Sequence, residues 1–478
     1  MSHDDTTPAN PDAAAPVAAD HGLLSPMWAG TRVAALTGDH AVVQAMLDVE
    51  VAWVEVLAGA GWVPDSAVAP VAAAADAQLY DLPGIAARCA SGGNPLIPLL
   101  ADLRTEISRT DPDAAAAVHR GATSQDIVDT SLMLLARRSV AVISADLHTA
   151  ADALANLADT HRSTLCVART LTQHSLPFTF GLRAARWLSG VTASADRLVQ
   201  SADRLPLQWG GAAGTMAATA EFAGADQVPG LTTGLAERLG LAVPALPWQT
   251  NPVPVTGLGQ ALADVTAAAG RMANDVLLLG RPEIGEIGEP LAAGRGGSSA
   301  MPQKQNPVLS VLIRSAALAA PGALSQLQLS AATGVDERAD GAWHVQWQSL
   351  RELLRHAGGA AAKLAEVASG LRVHPERMRT NLELTGPLVV SERIMSALAP
   401  LLPQSPAGTG KQQVQQIIDD HLASTDHTPG DLRRRLRDAV PHDRIDDATL
   451  DALLGPENYL GTYDVQIDAA LARHLATH

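Results

Sequence analysis

Helical periodicity sustained over very long stretches is what most limits the folds open to this chain. Apolar residues recur at three- and four-residue spacing over about 124–160, 180–204, 252–280, 307–330 and 341–370, whereas alternating, strand-like stretches are few and short. Residues 39–59, "DHAVVQAMLDVEVAWVEVLAG", add one more amphipathic helix, for which Asp39 is the expected N-cap and Gly59 the stop. Helices this long exceed the globular norm, and several in one chain predict an elongated bundle. Composition agrees, because Ala, Leu and Val dominate while aromatic residues make up 3%. Small side chains let helix axes approach closely. The expected fold class is all-α in three helical segments: an N-terminal helical domain over 26–117, a central long-helix bundle over 118–371 and a C-terminal helical domain over 372–478. The last opens near "RVHPERM" and carries a polar, proline-marked stretch at 403–430.

Several classes of function are disfavoured by charge and cysteine content. A formal net charge of −16 argues against binding nucleic acid or anionic membranes, so an anionic ligand would need locally concentrated positive charge. Cys89 and Cys166 are isolated, without metal-ligand spacing, which predicts a reduced, cytoplasmic setting and no metal site. Residues 1–25 are polar, acidic and proline-containing, and they lack the basic start and apolar segment of a signal peptide. They read as a disordered tail. No apolar run is expected to reach the length of a membrane-spanning helix.

The breaks between the helices hold the chemistry: "SGGNPLIP" at 91–98, "VHRGATSQD" at 118–126, "ARTLTQHSLP" at 168–177, "QWGGAAGT" at 208–215 and "GRGGSSAMPQKQNP" at 294–307. Thr123, Ser124 and Asp126 suit a helix N-cap with an acidic first turn. The same hydroxyls, with free amides beside them, also suit a bound carboxylate. A lone histidine such as His174 is more often structural than catalytic. "QWGGAAGT" lacks the lysine and spacing of a phosphate-binding loop, so its glycines are expected to permit a close helix crossing. Trp343 and Trp347 share one helical face and read as core or interface. The loop at 294–307 is the most specific signal, since it cannot be helical yet holds one of the chain's three lysines. A serine there acts as a base only if donors and positive charge acidify its hydroxyl, which flexible glycines, adjacent amides and Lys304 can supply. Lys304 and Asn306 also suit a substrate carboxylate.

"GSSAMPQKQNP" at 297–307 resembles the signature loop of the fumarase/aspartase superfamily, Gly-Ser-Ser-x-Met-Pro-x-Lys-x-Asn-Pro. "GNPLIPL", "VHRGATSQDIVDT", "QWGGAAGTMAA", "DERADGAWHVQW" and "LLGPENYLG" resemble the 3-carboxy-cis,cis-muconate cycloisomerase branch in particular. The resemblance implies a homotetramer whose central helices form a common core, with each active site drawn from three subunits. It implies cofactor-free anti elimination on a small dicarboxylate: a base removes a proton beside a carboxylate, an aci-carboxylate forms, and the leaving group departs from the neighbouring carbon. Carried over by position, the base is Ser298, with Ser299 as the alternative. Lys304, Asn306, Thr123, Ser124, His119, Gln173 and Arg338 become substrate-binding residues, with Asn94, His174 and Gln249 as further contacts. A doubly negative intermediate needs such a set of fixed donors.

Two departures bear on the substrate. Many superfamily lyases carry a leaving-group histidine where this chain has Leu171; the cycloisomerase branch also lacks it, often having tryptophan. In "LPWQTNPVPV" at 246–255, Gln249 replaces the branch's usual histidine, and Asn251, Pro252 and Val253 stand where an arginine is expected. Losing a cation and a histidine disfavours a tricarboxylate. The leading expectation is a lyase releasing fumarate from a 2-substituted succinate whose leaving group needs no protonation, such as nitrite, as in the nitrosuccinate lyases of natural-product pathways. The alternative is a true carboxymuconate cycloisomerase of aromatic catabolism. Adenylosuccinate- or argininosuccinate-type cleavage and a non-catalytic member of the fold rank lower, the last because the signature loop is intact.

Overall fold

The computed structural model describes residues 20–297, 300–424 and 429–476. Of the tail expected over 1–25, residues 1–19 lie outside this range, as do Ser298 and Ser299. The fold is all-α, with helices at the predicted lengths: α1 Asp39–Gly59, α2 Ser124–Thr160, α3 Phe180–Ala202, α4 Val253–Leu279, α5 Val308–Thr333 and α6 Gly341–Ser369. One cap differs from expectation. Gly38 is the N-cap of α1 and offers no side chain, while Asp39 is the first helical residue. Its carboxylate accepts from Arg351 Nη2 at 2.8 Å instead, where it also favours the helix dipole.

By contacts the chain divides into two compact units. The first comprises residues to Val142 with Gln200–Gly259 and Gly322–Gly359; the second comprises Ile143–Val199, Gln260–Pro321 and the chain from Ala360 onward. In the first, α1 buries Met46, Val49, Trp53 and Leu57 at helical spacing, and Trp53 packs on Trp209 with ring centroids 4.7 Å apart. The Trp53 indole N–H donates to the Arg120 carbonyl at 2.8 Å, so the largest core side chain also anchors the segment that leads into α2.

The second unit holds the chain's main strand pairing, an antiparallel hairpin of β1 Leu165–Thr170 and β2 Gln173–Thr179. It also holds the C-terminal core of Val390, Ile394, Leu398, Val414, Leu432 and Leu436, against which Val167 of the hairpin packs. The polar stretch at 403–430 includes a helix, Gly410–Leu422, that starts with a capping box formed by Thr409 and Gln412. Contrary to expectation, α5 is long and apolar enough to cross a membrane, the one such helix among the described residues. Arg314 is the only charge in its 26 residues. Such a composition equally suits a helix packed among others. Leu318 and Leu329 of α5 are 72% and 63% exposed in this chain.

Candidate active site

In the first unit, the candidate residues gather around the start of α2. Asp126, in its first turn, is fully buried and accepts from the Thr123 amide at 3.0 Å, the Gly210 and Gly211 amides at 2.8 and 3.0 Å, and Gln208 Nε2 at 3.3 Å. Burial pushes its pKa up to about 6, although these donors pull the other way. The glycines of "QWGGAAGT" therefore fold the backbone onto a carboxylate rather than permit a helix crossing. A Cβ at Gly210 would lie 2.3 Å from Gln249 Oε1, and Gly211 has φ +69°.

With Asp126 serving the cap, the Thr123 and Ser124 hydroxyls are turned to other partners. Thr123 Oγ1 accepts from Arg338 Nη2 at 2.6 Å, and Ser124 Oγ accepts from Asn94 Nδ2 at 3.5 Å. Asn94 is itself buried and bonds the start of the next helix through Oδ1. Two hydroxyls, a guanidinium and an amide thus meet at the N-terminus of a 37-residue helix, an arrangement suited to a carboxylate. His119 precedes them in a left-handed conformation, φ 64°. Its Nδ1 contacts Glu50 Oε1 at 2.8 Å, and Glu50 is the one charged residue on the buried face of α1.

Two participants were not singled out from sequence. Asp129, one turn after Asp126, is buried; it accepts from Trp343 Nε1 at 2.7 Å and Gln125 Nε2 at 3.0 Å. Burial pushes its pKa up to about 7. Gln208, also fully buried, bridges the loops below. The signal was present in "SQDIVDT": polar residues 126, 129 and 130 fall on the face that the helical period turns inward. Asp129 borders a polar cavity of about 100 Å³ lined also by Gln125, Gln249, Asn251, Ser330 and Gln346. Trp343 and Trp347 are in edge contact at 4.6 Å, as their shared face predicted.

The remaining candidates belong to the second unit. Gln173 starts β2, directly after a two-residue turn of Leu171 and Thr172, both at positive φ (48° and 73°). Hairpin turns of this kind favour Asn-Gly, and a bulky or β-branched residue there is strained. Leu171 is 96% exposed at the tip. The hairpin is held close to its turn: Arg169, paired with His174 one step before the tip, binds the buried Glu286 at 2.6 Å, and Asn381 Nδ2 donates to the same carboxylate at 2.8 Å. His174 Nδ1 contacts Thr385 Oγ1 at 2.7 Å. Burial, then the Arg169 charge, lowers the His174 pKa below its ordinary value, which favours the neutral ring.

The signature loop is closed at its neck. Gly297 bridges to Gln305, the Asn306 amide and Nδ2 both donate to the Gly296 carbonyl at 2.8 and 2.9 Å, and Gln305 Nε2 donates to Arg295 O. Gly296 has φ +68°, and a Cβ there would lie 2.4 Å from the Asn306 carbonyl. Past the neck, the Glu289 carboxylate accepts the amides of Leu309 and Ser310 at the start of α5. Lys304 is exposed between these fixed points. Among the described residues no group of three or more His, Cys, Asp or Glu side chains is arranged to hold a metal.

A long-helix fold, a helix terminus lined by hydroxyls and a guanidinium, and a Ser-Ser, Lys, Asn sequence in a loop define a helical lyase of the fumarase/aspartase type. The chain belongs to the lyase family, whose model matches residues 39–322. It is similar to the nitrosuccinate lyase of Streptomyces davaonensis, with 44% identity over 97% of this chain and 96% of that one. It is 38% identical to a 3-carboxy-cis,cis-muconate cycloisomerase of Pseudomonas aeruginosa, over 92% of this chain and 94% of the relative. Among solved structures it resembles the 3-carboxy-cis,cis-muconate lactonizing enzyme from Pseudomonas putida, with a TM-score of 0.86, 34% identity, and coverage of 95% and 99% of the two chains.

Proposed function

We propose that this lyase eliminates nitrite from nitrosuccinate to give fumarate. The observation that carries the reading is the hairpin tip, which presents Leu171 and Thr172 and no titratable acid. His174, the nearest alternative acid, is turned to Thr385 and favours its neutral form. A leaving group must then depart unprotonated, and nitrite, a weak base, can do so. Similarity to the Streptomyces enzyme supports the same substrate.

In this reading, Thr123, Ser124 and Arg338 hold one carboxylate, with His119 and Asn94 beside them, and neighbouring subunits of the tetramer bring Gln173 and Lys304 to the substrate. Asn306 spends its side-chain amide on the Gly296 carbonyl at the loop neck, two residues from Lys304. A serine alkoxide, Ser298 or Ser299, takes the C3 proton, and the C–H electron pair becomes the aci-carboxylate. That pair then forms the C2–C3 double bond as the C2–N bond breaks and nitrite leaves with its electrons. The described donors stabilise charge that exists only between these two steps. The site is completed by assembly of four chains, and the exposed leucines of α5 suit the shared helical core.

Lactonisation of 3-carboxy-cis,cis-muconate is the second reading, favoured by the likeness to the lactonizing enzyme. Gln249 in place of a histidine, and Asn251, Pro252 and Val253 where an arginine is expected, leave less positive charge for its third carboxylate. Purified protein given 2-nitrosuccinate should release fumarate and nitrite in equal amounts, and Ser298→Ala or Ser299→Ala should slow this by about 10²–10⁴, the range for losing a general base. Absence of turnover, with lactone formed from carboxymuconate, would replace the first reading by the second.

A further inference from the structure

Gln249 replaces a histidine of the related branch and was expected to face substrate. Its geometry gives it another task. Gln249 Oε1 accepts from Gln208 Nε2 at 3.0 Å, and Gln249 Nε2 donates to the Glu337 carbonyl at 3.3 Å. Gln208 Nε2 also reaches Asp126 Oδ1, and Gln208 Oε1 accepts the Trp248 amide at 2.8 Å. Asp126 bonds the Thr123 amide, and Thr123 Oγ1 accepts from Arg338, the residue after Glu337. These contacts close a ring: Thr123, Asp126, Gln208, Gln249, Glu337–Arg338 and back to Thr123. Four segments far apart in sequence are joined by it, and every link lies within the first unit.

We infer that Gln249, with Gln208, is a positioning residue that fixes the Glu337–Arg338 backbone so that the Arg338 guanidinium meets Thr123 at the carboxylate site. Two features make the amide fit this task. The acceptor end faces a buried donor and the donor end faces a peptide carbonyl, so a side chain of one polarity satisfies only half the link. Gly210 leaves the space that the amide fills, since a Cβ there would meet Gln249 Oε1. The surrounding segment, "ATGVDERAD" at 332–340, is not helical over residues 334–339, and Asp336 lies at φ 57°. The Glu337 carbonyl is therefore a point where an outside contact can set the backbone. Arg338 needs such a support, because its Thr123 contact is made from a loop rather than from a helix.

The inference rests on the reading of Arg338 as a carboxylate-binding residue, and the test separates the two. Gln249→Met, Arg338→Ala and the double variant are compared with wild type by steady-state kinetics, on nitrosuccinate or carboxymuconate, whichever is turned over. Thermal melting confirms that each variant folds. Gln249→Met should raise KM by roughly three- to tenfold, the scale of one hydrogen bond, with a smaller change in kcat. In the Arg338→Ala background the same substitution should add almost nothing, because the residue it positions is gone. Gln249→His, which can donate and accept at once, should recover part of the loss. An equal rise in KM in both backgrounds would mean that Gln249 acts on substrate directly or on the fold at large, and would overturn the inference. So would no effect of Gln249→Met where Arg338→Ala is impaired. No effect of Arg338→Ala itself would remove the carboxylate-site reading and the inference with it.

Discussion

Replacing Asp129 by asparagine should stabilise the protein, and increasingly so as pH rises. The carboxyl is buried and its pKa is raised from 3.8 to about 7 by desolvation. A raised acid pKa means that the folded state binds the proton more tightly than the unfolded chain does. The stability from the neutral form is complete below the unfolded value and is lost as pH climbs through about 7. The full cost of ionisation is on the order of 4 kcal/mol, of which less than half is already present at pH 5. Asparagine keeps the oxygen that accepts from Trp343, and Gln125 can turn its amide to meet the new NH₂. For 478 residues, unfolding entropy scales so that 1 kcal/mol moves the melting midpoint by about 1 °C. Differential scanning fluorimetry from pH 5 to 8.5 should therefore show an advantage for Asp129→Asn that grows by roughly 3 °C between pH 5 and 8. A constant difference across that range, or a variant less stable at pH 8 than at pH 5 relative to wild type, would refute the assignment of a largely neutral carboxyl.

Changing Leu171 to Asn together with Thr172 to Gly should relieve roughly 1–2 kcal/mol of left-handed strain per residue, offset in part by the freedom that glycine adds to the unfolded chain. Melting should rise by about 1–3 °C while nitrosuccinate turnover falls; gain in both would argue that the strained tip has no task. Glu286→Gln should cost about 3–5 kcal/mol, because Arg169 is left with an unbalanced charge beside the hairpin, and urea denaturation should show it. Light scattering should give about four times the 49.5 kDa chain mass, and Leu318→Glu, which places a charge on the exposed face of α5, should reduce it. An unchanged mass for that variant would exclude this face from the assembly.

The long helices were legible because each repeats one simple pattern many times, and α2, expected at about 124–160 from its periodicity and N-cap residues, spans Ser124–Thr160. The hairpin at 165–179 was not, since six- and seven-residue strands give little period to read, and the turn uses Leu-Thr where a hairpin normally signals itself with Asn-Gly. At the site, the motif residues could be named, but their partners could not. Thr123 and Ser124 suited a cap or a ligand, and only the position of Asp126 shows that the cap is met from three residues onward. Gln208 opens the "QWGGAAGT" stretch but nothing in that stretch marks its role, which comes from contacts that span 41 and 82 residues of chain.

The scarcity of lysine gives the signature loop a chemical address. Lys304 is exposed, Lys363 is half-buried with its pKa lowered by desolvation, and Lys411 lies exposed on the C-terminal Gly410–Leu422 helix. Arginine supplies nearly all the remaining positive charge. A mild amine-selective reagent therefore meets two fully exposed lysine side chains, one in the loop and one far along the sequence from it, with the half-buried Lys363 resolved from both by peptide mapping. Lys411 serves as an internal reference, and the modification rate of Lys304 against it reports what the loop is doing in the unaltered protein, without a mutation or a fluorescent tag.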